Sequence, residues 1–294
     1  MKLQGILPAL TSCFDHQGNL YKAKVFHNIE KLNAIALSGY VVGGSTGETP
    51  LLSTEERVQL MSWVKEASAS GKTLIAGVGA ESVHETVRLA NRAAEIGYDA
   101  ALVLTPFYYK TQMHRPEAQA LFFRAVADQS QIPVILYNIP QVTGYALPIE
   151  TIAKLSGHPN IVGMKDSSGN LEKLGEAVRA AERGFQIVSG SGVSMWEALQ
   201  LGATGAILAI ANALPYACVT IWEAFRMRDE EAGRDWQQRI TPTARVIASA
   251  HGIPGLKYAM DLNGYYGGLP RLPFLPVSGA AKLEIEGVMD GLRG

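Results

Sequence analysis

Eight short apolar runs recur along the chain, at residues 6–13, 40–45, 73–80, 100–106, 133–140, 161–167, 185–191 and 205–210. They are rich in Val, Ile, Leu and Ala and end in small or polar residues. Nearly continuous apolar runs predict parallel strands covered on both faces, since a half-exposed strand would alternate apolar with polar. Between them the apolar spacing turns helical. In 53–72 it runs through Val58, Met61, Trp63, Val64 and Ala67, behind a capping box of Ser53 and Glu56. In 82–97 the box is Ser82 with Glu85, and Gly97 stands at the C-terminal side. Pro116 sits near the first turn of 115–128, where proline is tolerated. Eight strand–helix repeats predict an α/β fold, the (β/α)8 or TIM barrel. A doubly wound open sheet competes, but no G-x-G-x-x-G follows the first run.

After residue 211 the pattern is helical throughout, with more helix than an eighth barrel helix needs. The expected organisation is one domain, with the barrel over 1–225 and C-terminal helices packed on it over 226–294. Composition agrees with a large core: 294 residues are 47% hydrophobic and 18% charged, against about 25% charged in an average domain. The formal net charge is −1 with no long run of either sign. That argues against nucleic acid or an anionic membrane as the main partner. The short apolar stretch at the N-terminus soon meets Asp15, His16 and Gln17, unlike a signal peptide or membrane span. Two cysteines, Cys13 and Cys218, make no disulfide framework, and a cytoplasmic home is expected.

In such a barrel the C-terminal strand ends line the site. Here they carry Thr11 and Ser12; Gly44, Ser45 and Thr46; Thr105 with Tyr108; Tyr137 and Asn138; Lys165; and Ser189 with Ser191. No carboxylate pair for glycoside chemistry is among them. The six histidines are scattered without an H-x-x-x-H spacing, so no metal is expected. The stretch "IVGMKDSSGN" (161–170) ends an apolar run in a lysine. By strand alternation Lys165, Gly163 and Ile161 face the barrel interior, while Val162 and Met164 face the helices. Gly163 beneath the lysine leaves room for a small ligand, and Tyr137 points inward with Ile135. An amine stripped of water by apolar walls loses part of its charge and attacks ketones to form a Schiff base. The alternative is a lysine that reaches solvent or pairs with Asp166. Its rim position, Gly163 and Tyr137 together favour catalysis. The glycine-rich turn in "GGSTGETPLLSTEER" (43–57) offers backbone N–H groups and two hydroxyls to an anion. It lacks the G-K-[ST] of a nucleotide loop, so a carboxylate fits as well as a phosphate. "SGSGVS" (189–194) is a second strand-to-helix turn, at a place where barrels often bind phosphate. Cys13 has no assignable histidine partner and is expected to be a small buried residue.

With "GGSTGE", "TPFYY", "LYNIP" and "GMKDSSGN" in this order, the chain resembles the N-acetylneuraminate lyase and dihydrodipicolinate synthase family from about residue 3 to the C-terminal helices. The resemblance implies a (β/α)8 barrel with extra C-terminal helices, usually a homotetramer built as a dimer of dimers. It implies class I aldolase chemistry on pyruvate and an aldehyde, with no metal and no organic cofactor. It makes Lys165 the Schiff-base lysine and Tyr137 the catalytic phenol. It implies that Ser45 and Thr46 bind the pyruvoyl carboxylate and that a hydroxyl there relays protons. Tyr108 matches a tyrosine that reaches across the tight dimer interface. The expected catalytic set is thus Lys165, Tyr137, Thr46 and Tyr108, with Gly44, Ser45, Thr46, Ser167 and Ser189 binding substrate.

Within the family, synthases carry an arginine in the turn after "YN.P" to hold the second substrate's carboxylate. Here that turn reads "PQVTG", with Val142 at the position, and valine makes no charged fork. The alternative is that Arg115, in the loop after "TPFYY", supplies the missing charge. Neuraminate lyases often carry an acidic pair where this chain has "SGSGVSM". The stretch 252–273, with "HPNIVGMKDSSG", looks most like 4-hydroxy-2-oxoglutarate aldolase. The expected activity is cleavage of a 4-hydroxy-2-oxo acid to pyruvate and glyoxylate. The first alternative is 4-hydroxy-tetrahydrodipicolinate synthase, condensing pyruvate with aspartate semialdehyde. A sugar-acid dehydratase and a non-catalytic 2-oxo-acid-binding protein are further alternatives.

Overall fold

The computed structural model describes residues 1–292, the side chains of 248 and 249 excepted. Eight parallel strands run in the order β1 (Gly5–Pro8), β2 (Gly39–Val42), β3 (Thr73–Gly77), β4 (Ala100–Leu104), β5 (Val134–Asn138), β6 (Ile161–Asp166), β7 (Gln186–Ser189) and β8 (Gly205–Leu208). From β2 to β8 each pairs with its sequence neighbour, and β1 pairs with β8. The ring closes where Ala9 bridges to Val41 and the Leu10 N–H donates to the Val41 carbonyl at 2.9 Å. Outside lie α1 (Lys22–Asn33), α2 (Thr54–Ala67), α3 (Val83–Ile96), α4 (Pro116–Gln129), α5 (Ile149–Ser156), α6 (Leu171–Ala180), α7 (Met195–Gln200) and α8 (Pro215–Met227). The fold is a TIM barrel.

Strand alternation divides the apolar runs between two cores. Leu7, Val41, Ile75, Leu102, Ile135, Val188 and Ile207 fill the interior, over Leu3 at the closed end. Their neighbours, such as Ala101 and Val103, pack under the helices. Both faces are buried, which is why the runs show no polar alternation. The caps follow the sequence. Ser53 Oγ accepts from the Glu56 N–H at 3.2 Å, and the Ser53 N–H donates to Glu56 at 2.9 Å. Ser82 caps α3 in the same way, but Glu85 turns its carboxylate to Arg88. Gly97 closes α3 at φ +95°, a left-handed conformation that glycine adopts without penalty.

One expected alternation fails. In β6 the register against β5 shifts between Val134 and Ile135, so Val134 pairs with Ile161 and Ile135 with Gly163. Val162 is the extra residue of a bulge. Beyond a bulge the side chains exchange faces. Ile161 therefore packs among the helices, and Val162 packs against the interior cluster. Lys165 keeps its inward direction because it lies on the other side of the bulge.

After α8 the chain continues through α9 (Glu230–Arg245), a π-helical turn (Val246–His251), α10 (Gly252–Leu262) and α11 (Gly279–Met289). The extension is docked closely. A Cβ on Gly233 would strike the Trp196 ring of α7, and Gln237 accepts the Trp196 backbone N–H at 2.9 Å. Among the described residues no helix is long and apolar enough to cross a membrane.

Candidate active site

Lys165 and Tyr137 are paired in register across β6 and β5 at the C-terminal end of the barrel. Lys165 Nζ lies 3.4 Å from Tyr137 Oη and 4.4 Å from the ring centroid. Both residues are 5% exposed. Asp166, next on the strand, points to the opposite face. It accepts from Asn138 Nδ2 at 2.6 Å and from Ser168 Oγ at 2.8 Å, while Asn138 Oδ1 receives the Leu147 N–H at 3.0 Å. This network ties β5 to β6 behind the site. An ion pair between Lys165 and Asp166 is thereby replaced by an amine that faces the barrel mouth.

The mouth is a cavity of about 580 Å³, lined by Ser45, Thr46, Tyr137, Lys165, Ser167 and Ser191 among others. That volume suits a small metabolite. Its outer wall comes from the C-terminal extension, through Ala244, Ile247, Ile253 and Leu256. A second cavity of about 410 Å³ adjoins it and shares Ser45, Tyr137, Val142 and Ile253. Ser45 and Thr46 occupy a short 3-10 turn after β2 (Ser45–Gly47). Ser12 Oγ holds that turn by donating to the Gly47 carbonyl at 2.6 Å. Gly44 lines the second cavity, and its carbonyl already accepts from Thr49 Oγ1 at 2.8 Å.

Several expected residues fall elsewhere. Ser189 does not reach the cavity. Val188 occupies the inward position of β7, so Ser189 is directed outward, where its Oγ accepts the Ser191 N–H at 3.2 Å and shapes the turn. Gly163 does not make room for a ligand. A Cβ there would meet the Gln186 carbonyl at 2.3 Å, so this glycine serves the close approach of β6 to β7. The space beside the lysine comes from Gly190. A Cβ on Gly190 would lie 1.9 Å from Ser167 Oγ and 3.0 Å from Lys165 Cε. Tyr108 is 75% exposed and lines neither cavity, and its backbone N–H donates to Glu81 at 3.0 Å. Arg115 stands at the N-cap position of α4, also away from both cavities. Arg57 of α2, which the motifs did not single out, borders the second cavity, its Nη2 donating to the Gly77 and Gly79 carbonyls. Cys13 is buried, and burial pushes its thiol up to about 12, which leaves it inert as a nucleophile.

Gly190→Ala is expected to slow imine formation by at least about tenfold, because a displacement near 1 Å at a reacting group costs up to roughly a hundredfold. The rate of borohydride trapping with pyruvate measures this. An unchanged trapping rate in a folded variant would show that Ser167 and Lys165 accommodate the methyl group.

A buried amine beside a phenol, at the mouth of a parallel barrel and facing a hydroxyl-bearing turn, defines the class of Schiff-base lyases. The comparisons agree. The sequence model of the Dihydrodipicolinate synthetase family matches residues 2–291. The 4-hydroxy-tetrahydrodipicolinate synthase of Exiguobacterium sp. is 32% identical over 287 residues, covering 97% of each chain. That of Methanothrix thermoacetophila is 33% identical over 290 residues, covering 97% of this chain and 96% of its own. A crystal structure of a dihydrodipicolinate synthase from Bacillus anthracis superposes with a TM-score of 0.94 at 27% identity over 99% of each chain. The chloride-inhibited Acinetobacter baumannii enzyme, solved with pyruvate, gives 0.93 at 27% identity over 98% of each. The chain belongs to the Dihydrodipicolinate synthetase family. It is a lyase of the aldolase type that works through a lysine Schiff base.

The sequence motifs did not point to Gly190 as the residue that opens the site, although it stands in the singled-out "SGSGVS" turn. Nothing in the sequence marked Ile247, Ile253 and Leu256 as its outer wall.

Proposed function

We propose that the chain joins pyruvate to a small aldehyde that carries a carboxylate, or cleaves such a product. Lys165 is the imine-forming amine and Tyr137 the proton donor and acceptor. The observation that carries this is the 3.4 Å separation of Lys165 Nζ and Tyr137 Oη at a cavity rimmed by Ser45 and Thr46. Nζ attacks C2 of pyruvate and the carbonyl oxygen leaves as water. The protonated imine withdraws electrons, so C3 loses a proton and an enamine forms. Its C3 attacks the aldehyde carbon while Tyr137 protonates the aldehyde oxygen. Hydrolysis of the imine then frees the lysine. Cleavage is the same sequence reversed. The N–H groups and hydroxyls of the 44–46 turn hold the carboxylate and orient C3.

Ser45→Ala and Thr46→Val are each expected to raise KM for pyruvate roughly ten- to hundredfold, the worth of a hydrogen bond to a charged group. Wild-type kinetics in both variants would assign the turn to another ligand.

The names of the relatives and the full-length similarity support aspartate semialdehyde as the acceptor, and so the 4-hydroxy-tetrahydrodipicolinate synthase reaction. The sequence motifs by themselves favour the hydroxy-oxo-acid aldolase over that activity. Arg57, at the adjoining cavity, is the arginine best placed to replace the missing one. Val142 favours a second assignment, the 4-hydroxy-2-oxo acid aldolase with glyoxylate. It stands at the shared wall of both cavities and offers a carboxylate no charge. Glyoxylate is the smaller acceptor and suits the hydroxyls of Ser167 and Tyr137. Measuring kcat/KM with both aldehydes on one preparation decides between them. A tenfold or greater preference for aspartate semialdehyde upholds the synthase, and the reverse upholds the aldolase. Val142→Arg is expected to raise kcat/KM for aspartate semialdehyde by at least about tenfold, because charge-assisted hydrogen bonds are about twice as strong as neutral ones. We also assign the chain to a homotetramer in which Tyr108 crosses to a neighbouring subunit. Its exposure at the rim supports this, and light scattering on the purified chain tests it.

A further inference from the structure

The turn that carries Ser45 and Thr46 ends at Glu48, whose backbone adopts the left-handed conformation at φ +56°. Glycine takes this conformation without steric cost, whereas a residue with a Cβ does not. A glutamate held there points to a requirement for its side chain. That side chain runs inward and is fully buried. Its Oε1 lies 2.6 Å from Lys257 Nζ of α10, which is equally buried. Its Oε2 accepts the backbone N–H of Arg271 at 2.8 Å.

Lys257 is fixed from further sides. Its Nζ donates to the Leu269 carbonyl at 3.1 Å and stands 4.6 Å from the centre of the Phe14 ring. Arg271 then reaches back to the barrel. Its guanidinium forms a two-pronged pair with Glu56 and donates to the Gly18 and Leu51 carbonyls. The 44–48 turn is therefore clasped by the C-terminal extension on one side and by Ser12 on the other. Stability alone does not require such a pair. Apolar residues of similar volume in place of a buried ion pair are often neutral or stabilising. What a buried pair with fixed geometry supplies is position. Burial lowers the proton affinity of Lys257, and the Glu48 charge opposes that, so the two groups depend on each other.

We propose that Glu48 and Lys257 are positioning residues for the 2-oxo acid: their ion pair holds the Ser45–Gly47 turn where its hydroxyls meet the carboxylate of a substrate joined to Lys165. The proposal rests on the assignment of that turn to the pyruvate carboxylate. It makes the C-terminal extension part of substrate binding as well as a cover for the barrel.

The test uses Glu48→Gln, Lys257→Met and the double variant, beside Ser45→Ala and Thr46→Val. Each single change leaves one buried charge unpaired, so melting temperature falls and KM for pyruvate rises at least tenfold, with a smaller change in kcat. The double variant removes both charges. Its melting temperature is expected to recover toward wild type while KM stays at least tenfold raised. This separates positioning from stability and decides the matter even where a single variant does not fold. A double variant with wild-type KM, against raised KM in Ser45→Ala or Thr46→Val, overturns the positioning role alone. Unchanged KM in both hydroxyl variants overturns the assignment of the turn and the positioning role with it.

Discussion

Lys165→Ala is expected to leave turnover at background and to remove the covalent adduct that borohydride traps with pyruvate. In the wild type one three-carbon adduct per chain is expected, located on Lys165 by peptide mass. The structure contains a second buried lysine, Lys257, and the contrast between the two explains the selectivity. Lys257 is enclosed and paired with Glu48 at 2.6 Å. Lys165 is also buried, but it lines a cavity of about 580 Å³ and faces a phenol instead of a carboxylate. A paired ammonium has no free electron pair to offer a ketone, and a sealed one meets no ketone. Lys165→Arg sharpens the experiment: it retains a cation, but a guanidinium stays protonated and forms no imine. Both variants are expected to fail in trapping and in turnover. An adduct on Lys257 or any other lysine, or trapping that survives Lys165→Ala, would remove the proposed mechanism.

Tyr137→Phe is expected to lower kcat by about 10²–10⁴-fold, the range for a positioned acid–base group, while imine trapping on Lys165 persists. Imine formation needs the amine, whereas carbon–carbon bond formation also needs a proton delivered to the aldehyde oxygen. The ring is buried with the interior cluster, so phenylalanine keeps the packing. The lost hydroxyl gives up its bond with Lys165 at 3.4 Å. Pre-steady-state trapping and steady-state turnover on the same preparation separate the two steps. A loss in kcat below threefold would show that another group handles the proton. Trapping lost in proportion to turnover would place Tyr137 in imine formation itself.

Much of the barrel was legible because its physics is local. The apolar runs from 6–13 to 205–210 had to be covered on both faces, and the capped segments at 53–72 and 82–97 could only be helices between them. Lys165 and Tyr137 were legible for the same reason, since alternation over two residues, from Gly163 and from Ile135, directs them to the barrel interior. The Ser45–Thr46 turn announced itself through its glycines and hydroxyls. Where the inference depended on parity over a longer stretch it failed, because no residue type in "IVGMKD" marks the bulge at Val162. Ser189 failed likewise: which of two adjacent positions faces inward is decided by the register of β7 against β6.

The sequence by itself thus determined the alternation of elements, the barrel, and the residue types at its mouth. The tertiary structure alone decided that Gly190, and not Gly163, opens the space beside Lys165, that helices after residue 227 wall the cavity, and that Glu48 meets Lys257. These depend on backbones and charges brought together from distant parts of the chain. Hydrophobic periodicity records which face of an element is buried, and it carries no information on which element will bury it.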